Sequence, residues 1–123
     1  MNSNTVDLHI PGGESMRLVA RLATVGYIAS AGLTLDEAED MKIAVAEALG
    51  AVGGERLHVQ FSTVDGAVEI AVVGDGKGVP REEVESEIAR YVLRSLADEV
   101  EIEENGAGQI GSIRMKKRLS GGA

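Results

Sequence analysis

Hydrophobic and polar residues alternate along this chain with two different periods. From Thr5 to Ile10 the side chains change character at almost every residue, which predicts a β-strand closed by Pro11-Gly12-Gly13. From Glu14 to about Ala31 apolar residues recur at helical spacing, and Gly32 ends the predicted helix. One face of that helix is expected to hold Met16, Val19, Ala20, Ala23 and Tyr27, and another face Arg17, Arg21 and Thr24.

A second helix is predicted from the residues at its two ends. Thr34 has the side chain of an N-cap, and Asp36 and Glu37 follow in the first turn, where the helix dipole favours acidic groups. The apolar pattern continues to about Val52, and the pair Gly53-Gly54 ends the helix.

Two alternating segments then predict a β-hairpin. They run from Leu57 to Phe61 and from Val68 to Val72, and they are joined at Asp65-Gly66. An Asp-Gly pair between alternating segments is a specific indication of a tight turn, because both residues can adopt positive φ.

The last part of the chain predicts a helix and a second hairpin. The helix runs from Arg81 to about Ala97 and opens with Pro80, a residue tolerated in the first turn. In the hairpin, Asn105-Gly106 starts the turn. Its first strand alternates Val100 and Ile102 with Glu99, Glu101 and Glu103, and its second alternates Ile113 and Met115 with Arg114 and Lys116. Antiparallel pairing would place an acidic row beside a basic row.

These elements predict an α+β fold with a mostly antiparallel sheet and three helices packed on one face. With 123 residues, the chain fits one domain, 1–123, that has a core of its own. Apolar residues make up 44% of the sequence, which argues against disorder. The tail 120–123 is expected to be flexible.

Charge and composition exclude several functional classes. Twenty acidic and twelve basic residues give a formal charge of −8, which disfavours nucleic-acid binding and favours contact with basic or mixed protein surfaces. The absence of cysteine excludes disulfides and thiolate metal sites and fits a reducing compartment. No signal-peptide pattern and no apolar run near the roughly 20 residues of a membrane span is present. We therefore expect a cytoplasmic protein.

Two segments have the pattern of a nucleotide site. In residues 43–51, IAVAEALGA, Glu47 is a lone carboxylate in an otherwise apolar helical run. In residues 72–78, VVGDGKG, a strand runs into a glycine-rich turn. A glycine turn that merely ends a strand is the alternative interpretation of the second segment.

The order of acid-bearing helix, hairpin and glycine loop resembles the ATP site of the anti-sigma-factor serine/threonine kinases, members of the GHKL (histidine-kinase-like) ATPase superfamily. The resemblance covers residues 5–119. It is carried by residues 40–48, 93–102 and 113–119, which are similar to the N-box helix, the helix-to-strand passage and the final strand of that family. It implies the GHKL two-layer sandwich.

The resemblance also implies roles for residues in the second helix. The family's N-box carries a glutamate that acts as general base and, four residues later, an asparagine that binds magnesium. Glu47 matches the base, but Ala51 stands at the asparagine position and cannot ligate a metal. Because magnesium supplies much of the charge stabilisation in phosphoryl transfer, this difference is serious.

The glycine loop differs from the family as well. The family pattern is Asp-x-Gly-x-Gly, with the aspartate accepting from the adenine amino group. Here the positions read Gly74-Asp75-Gly76-Lys77-Gly78, so Gly76 and Gly78 match and the acid comes one residue late. On a strand, such a shift turns a side chain to the opposite face. The remaining candidates for nucleotide contact are Glu47, Asp75, Gly76 and Gly78.

The phosphate end of the site shows further losses. Residues 79–85 leave almost no room for the family's lid, and Glu87 and Ala89 stand where its phosphate-binding glycines belong. Gly111, next to Ser112, replaces a threonine that the family often uses toward the nucleotide. The sequence therefore predicts a degenerate ATP site with Glu47 facing a pocket between helix and sheet, and no cofactor is expected.

Other candidates are weaker. His9 and His58 are isolated in the sequence, and no metal site is expected because metal ligands come in clusters. Glu83, Glu85 and Glu87 fit a solvated helix face. Arg17 and Arg21 are either ordinary surface charges or partner-binding residues, since arginine is favoured in interfaces. The first helix has more apolar residues than one core-facing stripe needs, which predicts deep burial or a homodimer contact; they are Leu18, Val19, Leu22, Val25 and Ile28.

Three functions follow as hypotheses. The leading one is a catalytically degenerate relative of the anti-sigma kinases that binds a sigma factor or an anti-sigma antagonist in a partner-switching system. The rival is an active serine/threonine kinase that uses ATP, magnesium and Glu47 as base. The third is a dimerisation scaffold that has lost both roles.

Overall fold

The computed structural model describes residues 5–77, 83–106 and 108–120. Within them the chain forms five strands and three helices, as the sequence predicts. The opening of the third helix at Pro80 and Arg81 lies outside the described residues. In chain order the elements are β1 (Val6–Pro11), α1 (Glu14–Ala31), α2 (Leu35–Ala51), β2 (Arg56–Val64), β3 (Ala67–Gly74), α3 (Glu83–Leu96), β4 (Glu99–Glu104) and β5 (Ile110–Arg118).

The strands form one sheet in the order β1-β2-β3-β5-β4, with every neighbouring pair antiparallel. Alternation decides which side chains face the helices: Val59 and Ile70 are fully buried, whereas Gln60 and Glu69 point to the other side and stay partly exposed. The predicted α+β fold, with an antiparallel sheet and three helices, is confirmed. No helix in the described part of the chain is long and apolar enough to cross a membrane.

The turn between β2 and β3 is the tight turn that Asp65-Gly66 predicts. Val64 pairs directly with Ala67, so the loop has two residues, and both have positive φ: 52° at Asp65 and 75° at Gly66. This conformation matches the twist of the flanking strands, and it fixes the register of the central hairpin.

The acidic and basic rows of the last hairpin lie side by side on the sheet face away from the helices. Glu99 pairs in register with Lys116, and Glu101 with Arg114. The Arg114 guanidinium lies 3.5 Å from the Glu101 carboxylate and 3.0 Å from that of Glu69 on β3. The prediction that an acidic row lies beside a basic row is confirmed. Glu69 on β3 extends this arrangement to a third strand. These exposed pairs contribute modestly, about 0.2–1 kcal/mol each.

The core is centred on α2, whose inner face packs against the sheet and α3. Its buried residues are Met41, Ala44, Val45, Ala48, Leu49 and Ala51. They join Phe61, Ile70, Leu93 and Ile113 in one hydrophobic cluster. Alanine at three of these helical positions lets the helix approach its neighbours closely, as dense packing requires.

Helix α1 turns inward most of the predicted apolar face, together with polar residues of the neighbouring face. Ala20 is buried in the core, and Met16, Ala23 and Tyr27 pack against it. Thr24 is 1% exposed, because its hydroxyl donates to the Ala20 carbonyl at 2.8 Å and leaves no unpaired donor. Val19, predicted to face the core, is 42% exposed. Arg17 is also buried. Local hydrogen bonding allowed polar residues to take core positions, which hydrophobicity alone does not predict.

Glycines allow the loop after α2 to lie directly against two strand ends. A Cβ atom built at Gly74 would overlap the carbonyl oxygen of Gly53 and lie 2.8 Å from Cγ1 of Val52. A Cβ atom built at Gly12 would overlap the carbonyl oxygen of Gly54. The Gly12 N–H also donates to the Glu55 carbonyl at 2.7 Å. We call this arrangement of Gly12, Gly53, Gly54 and Gly74 the glycine contact.

The glycine contact makes a prediction about stability. Gly74→Ala should lower the free energy of unfolding by about 1–3 kcal/mol, because the added methyl group must displace backbone atoms. Gly26→Ala is the matched control: this helical glycine in α1 has no atom within 4 Å of a built Cβ. The control should raise stability by about 0.5–1 kcal/mol through helix propensity. Urea unfolding measures the free energy of unfolding of both variants. Equal changes in the two would contradict the close approach of the Gly53 carbonyl to Gly74.

Candidate functional site

Helix α2 holds Glu47 in a fixed position. The helix begins with a capping box: the Glu37 N–H donates to Thr34 Oγ1 at 3.2 Å, and the Thr34 N–H donates to Glu37 Oε1 at 2.8 Å. The apolar face of α2 is buried, which sets the rotation of the helix about its axis. Glu47 consequently lies on the side of α2 that faces α3, half-buried.

A cavity of about 220 Å³ lies between α2 and α3. Its described lining comes from the two helices only, so Glu47 faces a helix–helix cavity and not the helix–sheet pocket expected from sequence. The reason is that α3 packs directly against α2. The lining residues are Ala46, Glu47, Gly50, Ala51, Glu85, Ser86, Ile88 and Ala89.

The electrostatics of this cavity are unfavourable for a phosphate group. Glu47 on one wall and Glu85 on the other are the charged members of the described lining, and both are acidic. Ala51, one turn after Glu47, is 7% exposed and offers no oxygen ligand to a cation. Phosphate sites need N–H donors or basic side chains, and the described lining has no basic side chain; its polar side chains are the carboxylates of Glu47 and Glu85 and the hydroxyl of Ser86.

The end of β3 has no space for an adenine-binding aspartate. In the resemblance, that aspartate belongs at the position of Gly74. The Gly53 carbonyl oxygen occupies the place that a side chain at Gly74 would take. The position of Gly74 therefore lacks an aspartate, and the backbone contact also leaves no room for one.

The neighbouring Asp75 is bound to backbone groups. Its Oδ1 accepts from the N–H of Lys77 and from the N–H of Glu55, each at 3.0 Å. The hydrogen bond from the Lys77 N–H, followed by those from Glu55 and Arg56, holds the pKa of Asp75 below its ordinary value. Asp75 therefore connects the end of β3 to the start of β2, and no contact places it at the α2–α3 cavity.

The glycine loop is only partly described. Gly76 has a φ of 77°, so the chain turns there through a conformation that favours glycine, and the residue is exposed. Gly78, the second matching glycine, lies outside the described residues.

The residues at the predicted phosphate end are separated by the fold. Ala89 is buried and lines the cavity, but Glu87 is exposed and is not part of the lining. Ser112 lies on the outer sheet face, where its hydroxyl donates to Glu103 Oε1 at 3.2 Å. A Cβ built at Gly111 would meet its nearest atom at 3.7 Å, so that position has room for a side chain.

The two arginines of α1 have different environments. Arg17 is 8% exposed, and its Nε donates to the Gly12 carbonyl at 2.7 Å, so it stabilises the connection between β1 and α1. Arg21 is exposed. Of the two predicted partner-binding residues, Arg21 is the one that is exposed and accessible to a partner.

The two histidines are cross-strand neighbours. His9 on β1 pairs with His58 on β2, and their rings stack with centroids 4.2 Å apart. His58 Nε2 lies 2.7 Å from Asp7 Oδ1, and the pKa of Asp7 is lowered by that hydrogen bond and a second one from Gln60. Across residues 5–77, 83–106 and 108–120, no group of three or more His, Asp or Glu side chains is placed to hold a metal.

A solved protein structure has a fold similar to that of this chain. No family model matches this sequence, and no curated protein matches it. Among solved structures, the chain is similar to the crystal structure of the RsbU and RsbW domains of Rv1364c from Mycobacterium tuberculosis, with a TM-score of 0.67 and 18% identity. The match covers 94% of this chain and 32% of the other, so the chain spans about a third of that protein's length. At this identity the similarity shows the α+β fold.

Sequence reasoning missed two features of the site. Glu85 is exposed, as predicted for a solvated helix face, but it also lines the cavity that Glu47 lines, which the sequence analysis did not predict. The spacing from Glu85 to Ile88 and Ala89 puts all three on one side of a helix, which was a usable indication. The closure of Gly74 by Gly53 had no local indication, because the two residues meet only when α2 and β3 are assembled.

The hydrogen bonds that the Asp75 carboxylate accepts predict a pH-dependent contribution to the free energy of unfolding. Its folded pKa is depressed, so the contribution is present above the ordinary value of 3.8 and is lost as pH falls through the folded pKa. Asp75→Asn should therefore be less stable than wild type near neutral pH, and the difference should shrink in acid. Urea unfolding of both proteins at a series of pH values tests this, and a difference independent of pH would contradict it.

Proposed function

We propose that this protein is a regulatory protein of the anti-sigma-factor kinase type that acts by binding other proteins and has a degenerate ATP site. The fold shared with a protein that contains an RsbW domain supports the family at a coarse level. The resemblance to the anti-sigma-factor kinases supports the same family, and it is carried by residues 40–48, 93–102 and 113–119. The order of elements along the chain fits both.

The observation that carries the proposal is the closed position at Gly74. In an intact site of this kind, an aspartate there would hold the adenine amino group. In this chain the Gly53 carbonyl oxygen takes that space, so no side chain fits unless the loop after α2 moves. Replacing Gly74 with aspartate would therefore not restore the contact with adenine. This distinguishes the site from an active nucleotide site that has only an unusual sequence.

The α2–α3 cavity gives independent support. Its volume of about 220 Å³ is below the roughly 300–1,000 Å³ usual for small-molecule sites. Glu47 and Glu85 would repel a triphosphate, and Ala51 cannot bring magnesium to offset that charge. Glu47 is a base without a positioned substrate.

The partner class follows from the resemblance and from the surface charge. A sigma factor or an anti-sigma antagonist is the expected partner of such a domain. The formal charge of −8 favours a partner surface with basic groups, because opposite fields speed encounter. Arg21, exposed on α1, is the candidate for pairing with an acidic group of the partner.

Nucleotide titration separates this proposal from the active-kinase rival. We expect magnesium and ATP at millimolar concentration to leave the melting temperature unchanged, because a ligand stabilises a protein only when it binds the folded state. Incubation with labelled ATP and a candidate antagonist should transfer no phosphate to serine. Both measurements use wild-type protein.

Glu47→Ala provides the control for that titration. If ATP stabilises the wild type and phosphate is transferred to serine, and Glu47→Ala abolishes the transfer, the kinase interpretation is correct and the degenerate site is wrong. Stabilisation by ATP without phosphate transfer would show nucleotide binding without catalysis, which also contradicts the proposed loss of nucleotide binding.

A homodimer is the second proposal, and the surface of α1 favours it. Leu18, Leu22 and Val25 are 51%, 63% and 45% exposed and recur at helical spacing. They form an apolar stripe with Arg21 between them. The stripe lies on the helix beside β1, an edge strand with one neighbour. A symmetric contact through this stripe would cover apolar surface that a monomer leaves in water.

Charged substitutions on two exposed leucines test the dimer. Leu22→Asp should convert a dimer to a monomer in sedimentation equilibrium, since the aspartate replaces apolar contact surface and would lose its hydration in the interface. Leu35→Asp, at a leucine 79% exposed at the start of α2, is the matched control and should leave the dimer intact. A wild type that is monomeric at high concentration would contradict the proposal and would also exclude the scaffold alternative.

A further inference from the structure

The α2–α3 cavity has two unlike sets of walls. Ala46, Ala51, Ile88 and Ala89 supply apolar surface, and Glu47 and Glu85 supply one carboxylate from each helix. Ile88 is 55% exposed, and Tyr91, one turn further along α3, is 76% exposed. An apolar rim therefore continues from the cavity along the outer surface of α3.

The two carboxylates have no basic partner in the part of the chain that the structure describes. The ion pairs found there involve other acidic residues: Asp7, Glu39, Asp40, Glu69, Glu99, Glu101 and Glu104. The described lining of the cavity likewise includes no lysine, arginine or histidine. Glu47 is half-buried and Glu85 is exposed. Two carboxylates without a basic partner beside a partly apolar cavity favour a cationic ligand, because each attracts positive charge.

Size and shape narrow the ligand further. A cavity of about 220 Å³ is small for a nucleotide, but it can hold one long side chain. An arginine side chain combines an apolar stem with a planar head that can donate to two carboxylates at once. The stem would contact Ile88 and Ala89, and the head would lie between Glu47 and Glu85.

We propose that the α2–α3 cavity is a docking site for an arginine side chain presented by a partner protein. The proposal rests on the protein-binding function proposed above and adds the chemistry of the contact. It also gives Glu47 a present role, as one of two carboxylates that receive the guanidinium. The exposed Ile88 and Tyr91 would contact apolar residues that flank the arginine on the partner.

The test uses a defined probe and isotope-labelled protein. The probe is an alanine-rich helical peptide of about 15 residues that carries one arginine and, one turn away, one leucine. Its matched control replaces the arginine with glutamine. In ¹H–¹⁵N spectra, the arginine peptide should shift the amides of Gly50, Ser86 and Ala89, and the glutamine peptide should not. Added salt should weaken the effect.

Three charge-neutralising variants locate the contact. Glu47→Gln and Glu85→Gln should each weaken the binding of the arginine peptide by about fivefold, the upper end for a partly exposed ion pair. Glu87→Gln removes the same charge two residues away from Glu85, on a side chain outside the cavity lining, and should leave the affinity unchanged. Equal weakening by all three variants would show non-specific attraction and overturn the proposal.

Two further outcomes would also overturn the proposal. One is the absence of amide shifts at the cavity, or shifts confined to β4. The other is equal binding of free arginine amide or spermidine, which would indicate a small-molecule site. Failure of the proposed function is recognised separately, since magnesium–ATP would then stabilise the protein and phosphate would be transferred to the serine of an antagonist. If the peptide does not bind and ATP does not stabilise, only the docking proposal is lost.

Discussion

The contact of the Gly53 carbonyl with the Cα of Gly74 is the constraint on which the rest of this structure depends. It brings the end of α2 against the end of β3, and the parallel contact of Gly54 with Gly12 ties the same loop to the end of β1. The Gly53 N–H also points to the Ile110 carbonyl at the start of β5, at 3.5 Å. A side chain at Gly74 or Gly12 would separate these backbones, because packed backbone atoms cannot give way as a flexible side chain can.

The same contact connects fold to function. By fixing the C-terminal end of α2, it directs Glu47 and Ala51 toward α3 and fills the space that an adenine-binding aspartate would need. Asp75 reinforces the arrangement, since its carboxylate bonds the N–H groups of Glu55 and Lys77. The loop after α2 and the end of β3 are thus held together as a structural joint. What remains open is a small acidic cavity between two helices, a shape suited to a side chain of another protein.

The distribution of charge and apolar surface separates the two faces of the molecule. The outer sheet face has cross-strand ion pairs such as Arg114 with Glu69 and Glu101, and its exposed apolar residues include Val64 and Val73 near the strand ends. The helical layer instead exposes Leu22 on α1 and Ile88 and Tyr91 on α3. Interaction with other chains is therefore expected through the helices, by the α1 stripe for a second copy and by the α2–α3 cavity for a different partner.

The sequence alone determined the elements of this fold, because each has a local cause. Thr34 and Glu37 cap α2, Asp65-Gly66 fixes the central turn, and period-two alternation marks the strands. It also determined that Ala51 cannot bind magnesium, since that follows from residue type. Only the tertiary structure decided that Thr24 is buried, that Glu85 and Glu47 line one cavity, and that the position of Gly74 is closed. Those outcomes depend on contacts between segments far apart in the chain, and no local pattern encodes the distance between two backbones.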